Sequence, residues 1–241
     1  SLKEIRLGGG VSSIGSSAFR GNSDLALYVD DAKVLSQISG IGSHWYYISE
    51  IYVDEVLTRD ITINGATSIS DYAFANCTAI DSITFGEGLE IVGNYAFYSS
   101  SIKNVTFSNG LETIKEYAFG STSNLEYVSL PESIRNIEAY AFRNATALEY
   151  INLPEGLISI GNYAFGGCNS IMEIIASSQM AITAKENVFS TDTYNNARLY
   201  VPKERKFAYE KTVPWKNFYI EEMDFDVSHT VTFMVGGNVY E

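Results

Sequence analysis

Between Val128 and Glu173 the chain writes one unit twice. Val128 to Phe142 and Ile151 to Phe165 share an apolar frame at Val128/Ile151, Leu130/Leu153, Ile134/Leu157, Ile137/Ile160, Ala141/Ala164 and Phe142/Phe165, 23 residues apart. Self-similarity at this period restricts a chain to stacked units, because one unit is too short to bury its apolar face except against its neighbours. Units start at Ile61, Ile83, Val105, Val128 and Ile151 and span 61–82, 83–104, 105–127, 128–150 and 151–173, each carrying Tyr-Ala-Phe. A unit at 2–24 has Ser17 where the Tyr belongs, and a degenerate unit at 174–198 keeps Ile182 and Phe189 as anchors.

Within a unit the period is two before the proline: Ile151 and Leu153 point to one face, Tyr150 and Asn152 to the other. That is a strand with one buried face. Stacked copies predict a parallel sheet with one strand per unit. Pro154 ends its strand because it cannot donate to a ladder. Leu157 and Ile160 return along the far side of the core, Gly161-Asn162 suits a turn, and Phe165 plugs the interior. Cys77 and Cys168 each follow their Phe by three residues, four units apart. At strand spacing they stand roughly 19 Å apart, beyond the ~7 Å that a disulfide tolerates, so two free core thiols are expected.

Residues 25–60 lack the unit and read as an insertion. It holds a strand at Leu27–Val29, a short helix within Asp30–Ser39 capped by Asp30 or Asp31, a core Trp45, and a hairpin over Ile51–Thr58 around Asp54-Glu55. Residues 199–223 read as a terminal cap, since an array end exposes an apolar layer and a strand edge; Lys203–Lys211 reads as helical, and Leu199-Tyr200-Val201 with Trp215 echoes Leu27-Tyr28-Val29 with Trp45. The array and cap are taken as one domain, 1–223. Residues 224–241 read as a linker and a strand–Gly-Gly-Asn–strand hairpin that opens a truncated following β module.

The formal net charge is −13. That argues against nucleic acid, which needs a basic footprint, and against docking on an anionic membrane. No apolar run is long enough to cross a bilayer. His44 and His229 lack ligand partners at metal spacing, no nucleotide, calcium or nucleophile motif is present, and Gly8-Gly9-Gly10 sits at a unit turn. No enzyme activity and no cofactor is expected. Residues 61–173 hold 12 acidic and 4 basic side chains, whereas 198–216 is basic. The remaining feature is the outward sheet face, whose columns are Ser82, Asn104, Tyr127, Tyr150, Glu173; Thr84, Thr106, Ser129, Asn152; and Asp81, Lys103, Glu126, Glu149. Tyr127 and Tyr150, flanked by Glu126 and Glu149 with Asn104, Thr106, Ser129 and Asn152 around them, make the candidate ligand surface; the same tyrosines also serve as good strand formers.

Leu148 to Cys168 resembles the repeat of the BspA-like leucine-rich repeat family, Leu-x-x-Ile-x-Leu-Pro-x-x-Leu-x-x-Ile-Gly-x-x-Ala-Phe-x-x-Cys. The resemblance covers 2–24 and 61–173, and more loosely 174–198; Asn64-Gly65 and Gly86-Glu87 depart from it where the proline belongs. It implies a right-handed, strand-rich α/β horseshoe-type solenoid of 22–23-residue repeats with a terminal cap. It also implies a secreted or cell-surface bacterial protein that binds or adheres to a protein of a host or neighbouring cell. A monomer is expected. A structural spacer and a carbohydrate-binding surface are the alternatives.

Overall fold

The computed structural model describes residues 2–224 apart from Ser16 and Ser39, and beyond them the backbone of 233–235 and 238–240. Each unit contributes to three parallel ladders. The first is made of strands of three to five residues. Ile61 stands opposite Ile83, Ile83 opposite Val105 and Val105 opposite Val128; farther on, Ile151, Ile174, Leu199 and Ile220 form a second run. Burial alternates along these strands, with Ile83 and Phe85 inside and Thr84 exposed, as a pleat with one wet face requires.

The two runs are separate sheets, with no ladder between Tyr127–Ser129 and Tyr150–Leu153 among the described residues. Pro154 removes one bond that would have crossed the gap. In neighbouring units the N–H just past the strand donates back to the preceding one: Gly86 to Ile63 O (3.0 Å), Ser108 to Phe85 O (3.1 Å) and Ser177 to Leu153 O (3.0 Å). Pro131 and Pro154 hold the equivalent places and have no proton to give; before Pro131 the ladder persists with three pairs.

The second ladder is unbroken: Ser68–Ile69, Ile91–Val92, Thr113–Ile114, Asn136–Ile137, Ser159–Ile160 and Thr183–Ala184. Its turns are tight. A Cβ on Gly161 would lie 2.4 Å from Ala139 N. The third ladder is the Tyr-Ala-Phe turn. Phe74, Phe97, Phe119 and Phe142 each donate an N–H to the Ala of the next unit, at 2.6–2.7 Å. Ala73, Ala96, Ala118, Ala141 and Ala164 have no exposed surface, so a larger side chain would push the units apart. All five tyrosines adopt the left-handed conformation, φ 53–61°, which disfavours bulky L residues.

Inside the ladders the phenylalanines stack. Phe74, Phe97, Phe119, Phe142, Phe165 and Phe189 follow one another with ring centroids 4.8–5.3 Å apart and near-parallel planes. A tryptophan closes each end. Trp45 stacks on Phe74 at 5.8 Å and donates to Ala73 O; Trp215 meets Phe189 edge-on at 6.1 Å and donates to Ile182 O. Both are fully buried. Cys77 and Cys168 are free and buried.

Residues 25–60 supply strands to the array as well. Leu25–Val29 lies parallel between Glu4–Leu7 and Ile48–Val53, and the latter turns through Asp54 and Glu55 into an antiparallel Val56–Thr58. That last strand occupies the edge on which the next unit's strand would pair. The helix is shorter than expected, Lys33–Gln37, and its formal cap is Ala32, although Asp31 accepts the Lys33 N–H at 2.8 Å. At the other end Arg198–Pro202 pairs in parallel with Glu173–Ala176 and Tyr219–Met223, and the helix covers Lys206–Glu210 within the expected 203–211. Phe233–Val235 and Asn238–Tyr240 form an antiparallel pair. The linker 225–232, including His229 and Thr230, and the Gly236-Gly237 turn lie outside the described residues.

Candidate functional site

The ladder registers place the predicted residues in two columns on the outward face. Asn104 stands opposite Tyr127, and Thr106 opposite Ser129. Tyr150 and Asn152 share the next strand, opposite Glu173 and Ile175. Glu126 and Glu149 project at the strand starts and are exposed, as is Thr106; Asn104, Tyr127, Ser129, Tyr150 and Asn152 are half-buried. The predicted patch therefore straddles the break between the two sheets. Burial raises the Tyr150 phenol well above its ordinary value, helped by Tyr127 and Glu173. Asn104 Nδ2 donates to Ser82 Oγ (3.3 Å). Asn152 Oδ1 is buried with no hydrogen-bond partner in the protein, a costly state for an amide oxygen.

Along the strand starts Asp81 is clamped by Arg59 (2.9 Å) with Lys103 at 3.7 Å. The Arg59 hydrogen bond holds the Asp81 carboxyl below its ordinary value. Exposed pairs of this kind contribute little to stability; their effect is to neutralise that stretch and leave Glu126 and Glu149 as the outstanding charges beside the tyrosines.

Sequence reasoning missed two further aromatic clusters on the same face. Arg6, Tyr28 and Tyr52 are in register; the tyrosine rings stack at 4.3 Å and the Arg6 guanidinium lies 4.1 Å above Tyr28 while pairing with Glu55. At the other end Arg198 pairs with Glu221 and lies 5.5 Å from the Tyr219 ring, beside Tyr200 in the next column. The signal was present: Tyr28, Tyr52 and Tyr200 alternate with core residues in the expected strands. Treating 25–60 as an interruption hid the column that it continues.

Among the described residues no group of three or more His, Cys, Asp or Glu is placed to hold a metal, and no helix is long and apolar enough to cross a membrane. His44 is buried against Phe19 (4.7 Å, edge-on) with Nδ1 2.9 Å from Gly40 O, a packing role.

The BspA type leucine rich repeat region matches the sequence in six copies over residues 49–172 and 114–222. The chain belongs to the BspA-type leucine-rich repeat family. Its strand-dominated ladders are a leucine-rich repeat solenoid. The fold is similar to that of a leucine rich cell surface protein from Faecalibacterium prausnitzii A2-165, with a TM-score of 0.52 and 19% identity over 72% of this chain. The chain spans 59% of that protein's length. The pneumococcal vaccine antigen PcpA aligns over 94% of this chain and 68% of its own at 18% identity, with a TM-score of 0.44. No curated protein matches the sequence.

Proposed function

We propose that this leucine-rich repeat chain is a non-enzymatic module of a bacterial surface or secreted protein, and that it binds a protein partner through the outward, concave face of its long-strand sheet. In this reading residues 1–223 are one right-handed solenoid of 22–23-residue repeats ending in a cap at 199–223, and 224–241 lead into a following β module. The observation that carries the proposal is the patch at Tyr127, Tyr150 and Asn152. Two half-buried tyrosines lie beside an amide oxygen without a partner, where the ladder between consecutive repeats is open. Tyrosine and arginine dominate binding hot spots, because they bring large amphipathic area at small entropic cost. Arg6, Tyr28, Tyr52, Arg198 and Tyr219 extend the same composition toward both ends. The acidic array selects a partner with a basic contact surface.

Immobilised extracellular proteins and glycans, probed with the chain and with its Tyr127→Ala/Tyr150→Ala variant, test this. A saturable protein partner lost in the variant is the expected result. A chain that binds nothing at micromolar concentration is a spacer instead, and a glycan lost in the same variant makes this face a carbohydrate surface. Light scattering gives the expected monomer.

A further inference from the structure

The tyrosines of Tyr-Ala-Phe form a second stack on the outside of the turn ladder. Tyr72, Tyr95, Tyr117, Tyr140 and Tyr163 follow one another at 4.6–5.5 Å, planes within 11°. The phenylalanine stack beneath goes one step farther, to Phe189, and Phe165 N–H reaches Val188 O at 3.0 Å. Counting back from Phe189, the residue in the tyrosine's place is Asn187; the Tyr163 N–H reaches its carbonyl (3.2 Å), one residue later than in the earlier units, where the acceptor precedes the tyrosine. The degenerate repeat thus keeps the core half of the motif and drops the surface ring. The flanking column loses bulk too. Gly166 follows Phe165 where Arg143 follows Phe142, and the Arg143 guanidinium lies 5.4 Å and 5.9 Å from the Tyr140 and Tyr163 rings.

A cavity of about 650 Å³ opens at this point, bounded by Tyr163, Gly166, Asn187, Tyr194, Arg143 and Glu186. The volume is that of a small-ligand pocket. Tyr163 is 43% exposed. Asn187 Oδ1 is buried and has no hydrogen-bond partner in the protein, and the soft, two-fold torsion of a carboxamide lets it turn toward an incoming donor.

We propose that this cavity is a second binding site, independent of the sheet face, and that it takes a neutral pyranose ring of a glycan. The chemistry selects that class. Tyr163 offers an aromatic wall against which the C–H face of a sugar can lie. The rim supplies a carboxamide, a guanidinium and a carboxylate, which together accept from and donate to hydroxyls. Arg143 and Glu186 oppose each other in sign, so the rim does not call for a charged ligand. A phenylalanine from a protein partner would fill the ring space and leave Asn187 Oδ1 without a donor; a sugar hydroxyl supplies one.

Amide-detected NMR titration of the chain tests the site, with methyl glycosides of galactose, mannose and N-acetylglucosamine as probes. Sialic acid and a tyrosine-containing tripeptide serve as comparators. A neutral glycoside should shift the side-chain amides of Asn187 and of Asn217, which also lines the cavity, saturably. Tyr163→Ala should weaken binding about ten-fold, the equivalent of ~1.4 kcal/mol, and Tyr163→Phe should bind as the unaltered chain does. Asn187→Tyr, which refills the ladder, should abolish binding. Tyr127→Ala/Tyr150→Ala should leave it unchanged, which separates this site from the sheet face. The proposal is overturned if no neutral glycoside shifts these amides, if binding survives Tyr163→Ala, or if sialic acid or the tripeptide binds more tightly; the last outcome would make the cavity a seat for a protein's aromatic side chain.

Discussion

At the residue scale the same position in the repeat does different work inside and outside. The cysteine position shows the inside. Cys168 Sγ lies 3.0 Å from Phe142 O, and burial pushes both thiols up, to about 12 from an ordinary 9.0. A raised acid is neutral in the fold, so its contribution to stability is complete below pH 9 and is lost as pH climbs toward 12. The folded chain should resist a thiol reagent at pH 8 and react with two equivalents once denatured, and its melting temperature should fall steadily above pH 9. The tyrosine position shows the outside. Tyr117 is stacked between Tyr95 (4.9 Å) and Tyr140 (4.6 Å) at φ 53°. Its stacking offsets a backbone conformation that costs an L residue about 1–2 kcal/mol. Tyr117→Ala loses the stack and keeps the strain, whereas Tyr117→Gly loses both. Denaturant melts should therefore find the glycine variant the more stable of the two, by about 1 kcal/mol.

At the element scale, one backbone proton per unit ties the end of a long strand to the strand before it. Ser108 donates to Phe85 O; Pro131 and Pro154 cannot make the equivalent bond, and the ladder before Pro131 is one pair shorter while the one before Pro154 is open. Ser108→Pro should shorten the ladder between Ser82–Phe85 and Asn104–Phe107 by one pair, as Pro131 shortens the next one to three pairs. It leaves the buried Phe85 carbonyl short of a donor, at a cost of about 1–3 kcal/mol, and hydrogen exchange should quicken across Asn104–Phe107. The prolines themselves were legible as strand ends. Their effect on the neighbouring strand was not, because a missing donor matters only once the register says which carbonyl it would have met. The hairpin at 51–58 was equally legible from its alternation and its Asp-Glu turn. That Leu25–Val29 would pair with Glu4–Leu7 was not, since the tyrosine motif that marks a unit is absent there while the strand alternation persists.

At the scale of the whole molecule, stability runs along the stack, and each layer supports only its neighbours. Phe142 touches Phe119 at 5.1 Å and Phe165 at 5.2 Å and is fully buried. Phe142→Ala should cost about 3–5 kcal/mol. Because it lies mid-array, the denaturant transition should also broaden or split as the two halves uncouple; a single sharp transition shifted by less than about 1 kcal/mol would remove Phe142 from the central stack. Trp45 and Trp215, in segments without the repeat motif, end the stack at its two sides, and the echo between their flanking sequences is an echo of role.

The sequence by itself determined the repeat, its apolar frame, the buried Phe and Cys positions and the outward columns that include Tyr127 and Tyr150. All of these follow from period and polarity, which are local properties of the chain. The tertiary structure alone decided that the sheet opens between those two tyrosines. It also turned five surface tyrosines into a ladder and left a cavity where Asn187 ends that ladder. These depend on which atoms of one unit meet those of the next, and stacking creates that adjacency only after the chain has folded.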